Sequence, residues 1–231
     1  YFAGGRSWTP SWPTIHSQSA KFTFATDTME DNSIGHLSTP LHKVKCVGTP
    51  THAYQVGGCS TPSSAASDKS IVAKKDFSTD NFTQLPGSSK PAGPTYGHIL
   101  TGNSTSARMA GKKEDFAPAS ESRFQKLVYS TDSFSVIPGA EIGGPSSNPA
   151  ESMGYGGDMG ATGNTTKGYF GSSSTLPSAD PVYKIVYDTD TVSTIPSWPT
   201  PSDLNTTVQQ SAGEQNGSGT VPQANLIWYN N

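Results

Sequence analysis

The chain has 231 residues, a formal net charge of -3 and only 14% charged residues, whereas about 25% is typical of globular domains. The lysines are scattered and form no basic stripe of the kind that follows a phosphate backbone, so we expect no nucleic-acid partner. No run of about 18 apolar residues occurs, so we expect no membrane span. Abundant Gly, Pro, Ser and Thr favour short strands joined by turns over long helices.

The first recurring element is a short strand that ends in small residues. It occurs as Tyr1-Phe-Ala-Gly-Gly5, Tyr54-Gln-Val-Gly-Gly58, Arg108-Met-Ala-Gly111 and Tyr169-Phe-Gly-Ser172, with a degenerate copy at Ile227-Trp-Tyr-Asn-Asn231. The double glycines, Gly4-Gly5 and Gly57-Gly58, allow the backbone to bend sharply or to approach a neighbour closely. We therefore predict a bend where these strands end.

The second recurring element is a lysine-led strand of alternating apolar and polar residues that runs into a Thr-Asp pair. The copies are Lys21–Thr28, Lys74–Asn81, Lys126–Ser133 and Lys184–Thr191, and their aspartates are Asp27, Asp80, Asp132 and Asp190. The alternation predicts a half-buried strand, and the Thr-Asp pair predicts a hairpin turn. The aspartates are 53, 52 and 58 residues apart, a period typical of propellers and related arrays.

Two further strands complete each unit. Apolar residues two positions after each aspartate predict a strand that follows the hairpin; they are Met29, Phe82, Phe134 and Val192. Polar turns such as Gly48-Thr-Pro-Thr and Gly102-Asn-Ser-Thr join the glycine-ended strand to one before it. We predict an all-β single repeat domain, 1–231, of about four blades of four antiparallel strands, with units at approximately 1–53, 54–107, 108–168, 169–226 and a partial 227–231.

This pattern resembles the kelch repeat, in which a hydrophobic strand ends in Gly-Gly and an aromatic strand, a turn and a further aromatic follow. The resemblance covers nearly the whole chain and implies a β-propeller. The Gly-Gly pair is intact only in the first two copies, and Met29, Phe82, Phe134 and Val192 replace the usual Trp. The Tyr-Phe-x-Gly-Gly and Phe-x-Thr-Asp-Thr variants are also similar to repeats in structural proteins of tailed phages, notably those that infect marine cyanobacteria.

The phase of the repeats bears on how the units close. The chain begins at Tyr1 rather than at Met, and both ends carry the second strand of a unit. A closed ring would complete one blade from both termini without such a duplicate. We expect either an irregular ring or a portion of a larger ring or longer array.

Residues that could carry chemistry have plainer interpretations. Asp27, Asp80, Asp132 and Asp190 are interpreted as structural turn residues, because Asp in a turn bonds to its own backbone two residues on. Asp188-Thr-Asp190 lacks the remaining ligands of a calcium loop. The five histidines are isolated and are expected at the surface or in turns, with no metal-ligand spacing. We predict no enzyme, cofactor or metal, and two free, partly buried thiols at Cys46 and Cys59, although a disulfide stays an alternative.

The lysines and tryptophans are the remaining polar or aromatic candidates. Each repeated Lys is expected on the strand face opposite the aromatic, where it reaches solvent or a neighbouring carboxylate, and it discourages edge-to-edge aggregation. Pro10-Ser-Trp-Pro-Thr14 recurs as Pro196-Ser-Trp-Pro-Thr200. Trp8, Trp12 and Trp198 therefore either present rigid aromatic faces for a ligand or partner or cover the ends of the core.

Five Asn-x-Ser/Thr sequons occur, and glycosylation or simple turn chemistry explains them equally well. They are Asn81, Asn103, Asn164, Asn205 and Asn216. The phage resemblance implies bare asparagines. The functional hypothesis is a non-enzymatic structural or adhesive protein of an extracellular particle, with a phage virion or tail-associated component as the leading candidate. It would mediate protein-protein or receptor contact, and its partners would be other structural proteins of that particle and, in one variant, a cell-surface glycan. The alternatives are a secreted carbohydrate-binding propeller and, third, a propeller enzyme such as a glycosidase or copper oxidase.

Overall fold

The computed structural model describes residues 2–3, 6–8, 13–23, 25–31, 35–42, 44–61, 70–91, 98–110, 123–141, 160–171 and 182–195. Within these ranges the chain forms strands, turns and one turn of 3-10 helix at Gly87–Ser89. No helix in the described ranges has the length and apolar character needed to cross a membrane. The all-β prediction is confirmed for this part of the chain.

The first strands form a smaller sheet and a separate hairpin. They are β1 (Phe2–Ala3), β2 (Arg6–Trp8), β3 (Pro13–Ile15), β4 (Ser19–Thr23) and β5 (Thr28–Asp31). Strands β1, β4 and β5 form a three-stranded sheet in that order, and β2 pairs with β3. The hairpin is thus inserted between the two strands that the repeat pattern predicts to be neighbours.

Three four-stranded antiparallel sheets follow, and in each the strands lie in chain order. The second sheet contains β6 (Lys45–Gly48), β7 (His52–Val56), β8 (Val72–Asp76) and β9 (Asn81–Gln84). The third contains β10 (Ile99–Gly102), β11 (Ser106–Ala110), β12 (Arg123–Val128) and β13 (Ser133–Glu141). The fourth contains β14 (Gly160–Gly163), β15 (Lys167–Gly171), β16 (Val182–Val186) and β17 (Thr191–Ile195). The prediction of four-stranded antiparallel units is confirmed for these three sheets.

Each four-stranded sheet begins with a strand from the end of the preceding sequence unit. Strand β6 lies in unit 1–53, β7 (His52–Val56) crosses the boundary, and β8 and β9 lie in unit 54–107. The sheet, rather than the sequence unit, is therefore the packing element, and each sequence unit spans two neighbouring sheets.

The four Thr-Asp segments all form hairpin turns, as the sequence predicts. The turns join β4 to β5, β8 to β9, β12 to β13 and β16 to β17. In each turn the aspartate has a left-handed backbone, with φ of 52° at Asp27, 58° at Asp80, 51° at Asp132 and 54° at Asp190. Asp and Asn tolerate this conformation better than other residues with a Cβ, which explains why Asp recurs there.

The Gly57-Gly58 pair forms the bend predicted after β7. Both residues have positive φ, 64° and 107°. A Cβ at Gly58 would lie 2.7 Å from Val44 Cγ1 and 2.8 Å from the His42 carbonyl oxygen, so the backbone approach requires glycine. Gly4 and Gly5 lie outside the described residues.

The second, third and fourth sheets pack face to face in succession, with an apolar core in each of the two gaps between them. Strand β10 lies beside both β6 and β14, so the first strands of neighbouring sheets are adjacent. Between the second and third sheets the core includes Val56, Met109 and Leu127, and between the third and fourth it includes Phe124 and Phe170. Phe124 and Phe170 meet edge to face, 4.9 Å between ring centroids. The third sheet is consequently buried on both faces.

Two expectations about isolated side chains need correction. His42 and His98 are buried rather than at the surface. The backbone of His42 forms a β-bridge with Cys59, and His98 directly precedes β10. Cys46 and Cys59 are free thiols, as predicted, but Cys46 is exposed and only Cys59 is buried.

Candidate functional site

The second and third strands of each sheet place two polar-tipped side chains directly opposite each other. The register pairs Tyr54 with Lys74, Arg108 with Lys126 and Tyr169 with Lys184. Residues paired in this way project from the same face of the sheet. In the second and third sheets, that face carries the two side chains toward the next sheet along the chain.

Between the second and third sheets, the pair grips the turn aspartate of the third. Lys74 Nζ donates to both carboxylate oxygens of Asp132 at 2.9 Å. The Tyr54 hydroxyl donates to Asp132 Oδ1 at 2.6 Å, and the Tyr54 ring stacks on Tyr129 at 5.0 Å. Burial and the neighbouring carboxylate raise the pKa of Tyr54 far above its ordinary value. The phenol therefore remains a hydrogen-bond donor throughout the physiological range.

Between the third and fourth sheets, arginine takes the place of tyrosine. Arg108 Nε donates to Asp190 Oδ1 at 2.6 Å, and a second guanidinium nitrogen also contacts that oxygen. Lys126 Nζ donates to Asp190 Oδ2 at 2.9 Å. The fully buried Arg108 also donates to the Tyr187 carbonyl at 2.8 Å and lies 5.4 Å from the centroid of the Tyr187 ring. The hydrogen bonds that Arg108 makes across the gap therefore all go to the turn that contains Tyr187 and Asp190.

Between the first and second sheets, two lysines hold the turn. Lys21 Nζ donates to Asp80 Oδ2 at 3.1 Å. The fully buried Lys75 donates to the Asp80 carbonyl oxygen at 2.5 Å, and its ammonium lies 4.9 Å from the Phe82 ring centroid. Loss of hydration lowers the pKa of Lys75, and Asp80 opposes that shift. Lys75 belongs to the same sheet as Asp80, so Lys21 supplies the ion pair between sheets here.

We call this arrangement the inter-sheet clamp. Its parts are the aspartate of one sheet's Thr-Asp turn and the cationic or phenolic side chains that bind it from the preceding sheet. The clamp aspartates are Asp80, Asp132 and Asp190, and the binding residues are Lys21, Tyr54, Lys74, Arg108 and Lys126. Charge-assisted hydrogen bonds of this kind are stronger than neutral ones, so the clamps fix the position of each sheet against the next.

A second polar link joins the third and fourth sheets. The buried Asn103 accepts bonds from the backbone nitrogens of Thr105 and Ser106, both at 3.0 Å, which closes the β10–β11 turn. Its amide nitrogen then donates to the Thr165 carbonyl of the next sheet at 3.2 Å. Asn164 makes the equivalent turn in the fourth sheet, accepting from Thr166 and Lys167 at 2.9 Å. These two sequons are thus explained by turn chemistry.

His98 is a buried titratable group beside the gap between the second and third sheets. Burial lowers its pKa to about 3, and the nearby Lys45 acts in the same direction. The imidazole is therefore neutral at physiological pH, and folding opposes its protonation.

The predicted site residues fall into three groups. Asp80, Asp132 and Asp190 are brought into clamps, whereas Asp27 has no partner among the described residues. The backbone bond predicted for this column is made by another residue: Asp76 Oδ1 accepts from Ser78 N at 2.7 Å. The Ser78 hydroxyl, which donates to the same oxygen at 2.6 Å, and that backbone bond lower the pKa of Asp76. Trp8 lies in β2 with its backbone opposite Pro13. The Trp8 side chain, and all of Trp12 and Trp198, lie outside the described residues.

The tyrosine, arginine and asparagine side chains that link the sheets were not identified from the sequence. Tyr54 and Arg108 were assigned only as the first residues of glycine-ended strands, and Asn103 only as a sequon or turn residue. The recurrence of a polar-tipped residue opposite the lysine column was the signal that could have identified Tyr54 and Arg108. Within the described ranges, no group of three or more His, Cys, Asp or Glu residues is arranged to hold a metal ion.

The described part of the chain is therefore a series of antiparallel sheets, one three-stranded and three four-stranded, joined by polar clamps. No protein-family model matches the chain, and no curated protein matches it. Solved structures do match, among them one described as the structure of YjhT, with a TM-score of 0.54 and 11% identity. The match covers 73% of this chain and 54% of that one, so the chain spans about half the length of that structure. At this identity the likeness concerns the fold alone.

Proposed function

We propose that the chain is a non-enzymatic structural or adhesive component of an extracellular particle, a phage virion or tail-associated protein, whose sheets are kelch-like blades of a β-propeller or a longer array. The inter-sheet clamp is the observation that carries the structural part of this proposal. The recurring charged residues bind one another across the gaps between sheets, so they serve to hold the array together.

The mutual neutralisation of these charges supports a scaffold role. A catalytic carboxylate typically has a pKa that is shifted by its surroundings, and it lies beside an open space that can hold a substrate. The aspartates at positions 132 and 190 instead accept bonds from two side chains of the preceding sheet. Each carboxylate is therefore occupied in linking two sheets. We expect the residues that contact partners to lie in the loops and at the rim, as is common for repeat scaffolds.

Two features favour a particle-bound setting. The repeat spelling is similar to that of phage structural proteins, and the chain has few charges and many short strands, which suits a durable exterior module. The buried side chain of Asn103 bonds to the neighbouring sheet, so a glycan there would break that contact. This agrees with a chain made without glycosylation.

The test is to locate the protein in the culture that produces it. Extracellular particles are banded on a density gradient, and peptides of this chain are quantified by mass spectrometry beside a capsid protein and a soluble metabolic enzyme. We expect the chain to band with the capsid protein at a fixed ratio and to form crosslinks with other structural proteins of the particle. Co-fractionation with the soluble enzyme would overturn the proposal.

A further inference from the structure

One half of a clamp is left open on the fourth sheet. Tyr169 and Lys184 face each other across β15 and β16, in the same register as Tyr54 with Lys74 and Arg108 with Lys126. Tyr54 and Arg108 are buried where they bind an aspartate, whereas Tyr169 is half-buried. Neither Tyr169 nor Lys184 has an acidic partner in the part of the chain that the structure describes. The pair therefore has the register of the carboxylate-binding pairs without a carboxylate among the described residues.

The complementary half is open on the first sheet. The Asp27 turn has the backbone of the docked turns, with φ of 52°. A Thr26–Thr28 hydroxyl contact of 2.7 Å closes it, as the Thr131–Ser133 contact of 2.6 Å closes the turn of Asp132. Asp27 nevertheless has no partner within the described ranges.

An apolar side chain beside Asp27 is uncovered as well. Met29 is 64% exposed, and it is the exposed large apolar side chain among the described residues. Its counterparts after the other turns, Phe82, Phe134 and Val192, pack against the apolar clusters. The first sheet therefore presents both the charge and the apolar contact that the other sheets bury.

The four Thr-Asp turns and four lysines of the repeat match in number. Three turns are docked on a preceding sheet, which leaves one turn, at Asp27, and one lysine site, at Lys184. Among the described elements, no substantial contact joins a strand of the first sheet to a strand of the fourth. The residues at 196–231 contain no Thr-Asp pair, so they do not offer the same turn.

We propose that the open pair Tyr169 and Lys184 binds the Asp27 turn of a second copy of this chain, so that copies associate head to tail. Lys184 Nζ and the Tyr169 hydroxyl donate to the Asp27 carboxylate, and Met29 is buried in the same contact. The interface is heterologous, so it either closes into a ring or continues as a filament. This proposal goes beyond the proposed function and holds whichever particle or surface the protein belongs to.

The first experiment identifies the contact directly. The full chain is prepared in unlabelled and 15N-labelled forms, mixed in equal amounts and treated with a carbodiimide, which joins a lysine to a carboxylate only at contact distance. We expect a Lys184–Asp27 crosslinked peptide in which one half is labelled and the other is not. Crosslinks confined to a single isotope would mean closure within one chain, and absence of the crosslink would mean another occupant; both results overturn the proposal.

The second experiment measures association by sedimentation velocity over a range of protein concentrations. Lys184→Asp is expected to lower the association constant by about 30-fold or more, the usual effect of breaking a hydrogen-bonded charge pair in an interface. Asp27→Lys should do the same, and the double variant should regain association because the charges are exchanged. Lys90→Asp, a change of equal charge directly after the 3-10 turn Gly87–Ser89, is the matched control. Equal association of Lys184→Asp and Lys90→Asp, or a monomeric wild type, would refute head-to-tail docking.

Discussion

Replacing Asp190 by Asn tests whether the clamps hold the sheets together. Asn tolerates the left-handed backbone of the turn, so the change removes charge with little backbone cost. Arg108 is fully buried, and Asp190 is the carboxylate that its guanidinium binds. Removing one partner of a buried ion pair typically costs about 3 to 5 kcal/mol, and the half-buried Lys126 adds under about 1 kcal/mol. Since Asn keeps one acceptor oxygen, we expect the unfolding free energy to fall by about 3 kcal/mol.

The assay is urea unfolding followed by far-ultraviolet circular dichroism. Asp27→Asn is the matched control, because it has the same turn and the same left-handed φ but no clamp partner within the described ranges. At protein concentrations too low for association, it should change stability by less than about 0.5 kcal/mol. Equal urea midpoints for the two variants would refute the idea that the clamp contributes to the stability of the array.

Two further outcomes follow from the clamp and from His98. Tyr54→Phe should lower the unfolding free energy by about 1 to 2 kcal/mol because the bond to Asp132 is lost, whereas Tyr169→Phe should leave it within about 0.5 kcal/mol; equal urea midpoints would contradict this. His98 has a folded pKa of about 3, below the unfolded value of about 6.5, so the unfolded chain binds the proton more readily and stability falls as pH drops below about 6.5. Between pH 7 and pH 5, protonation of His98 in the unfolded chain lowers the unfolding free energy by about 2 kcal/mol. A His98→Gln variant should therefore lose correspondingly less stability over that interval. Identical pH profiles of the two proteins in urea titrations would show that His98 is not the cause.

The local structure of the repeat could be predicted because its causes are local. Alternation of apolar and polar residues indicates a strand, and a Thr-Asp pair between two such strands indicates a turn. The left-handed φ of Asp27, Asp80, Asp132 and Asp190 is the physical reason that this residue recurs. Gly57 and Gly58 were identified for the same kind of reason, since only the backbone is involved.

The clamp could not be predicted in full because its partners lie far apart in sequence. Lys74 and Asp132 are 58 residues apart, and Lys126 and Asp190 are 64 apart. The sequence left each lysine a choice between solvent and a neighbouring carboxylate, and only the stacking of sheets decides it. Arg108 stands where other repeats carry tyrosine. It is buried because the next sheet packs over it, and the sequence around Arg108 does not show that contact. His98 was expected at the surface because nothing in its immediate sequence shows that β10 lies between β6 and β14.

The likeness of the clamps to one another has a consequence for how the chain assembles correctly. Every turn presents the same carboxylate in the same backbone conformation, so the chemistry alone does not tell one turn from another. Correct order therefore depends on the lengths of chain between the turns, which keep the neighbouring sheet closest during folding. At high concentration, a turn from another molecule competes on nearly equal terms, and exchange of sheets between molecules is the characteristic error of such repeats.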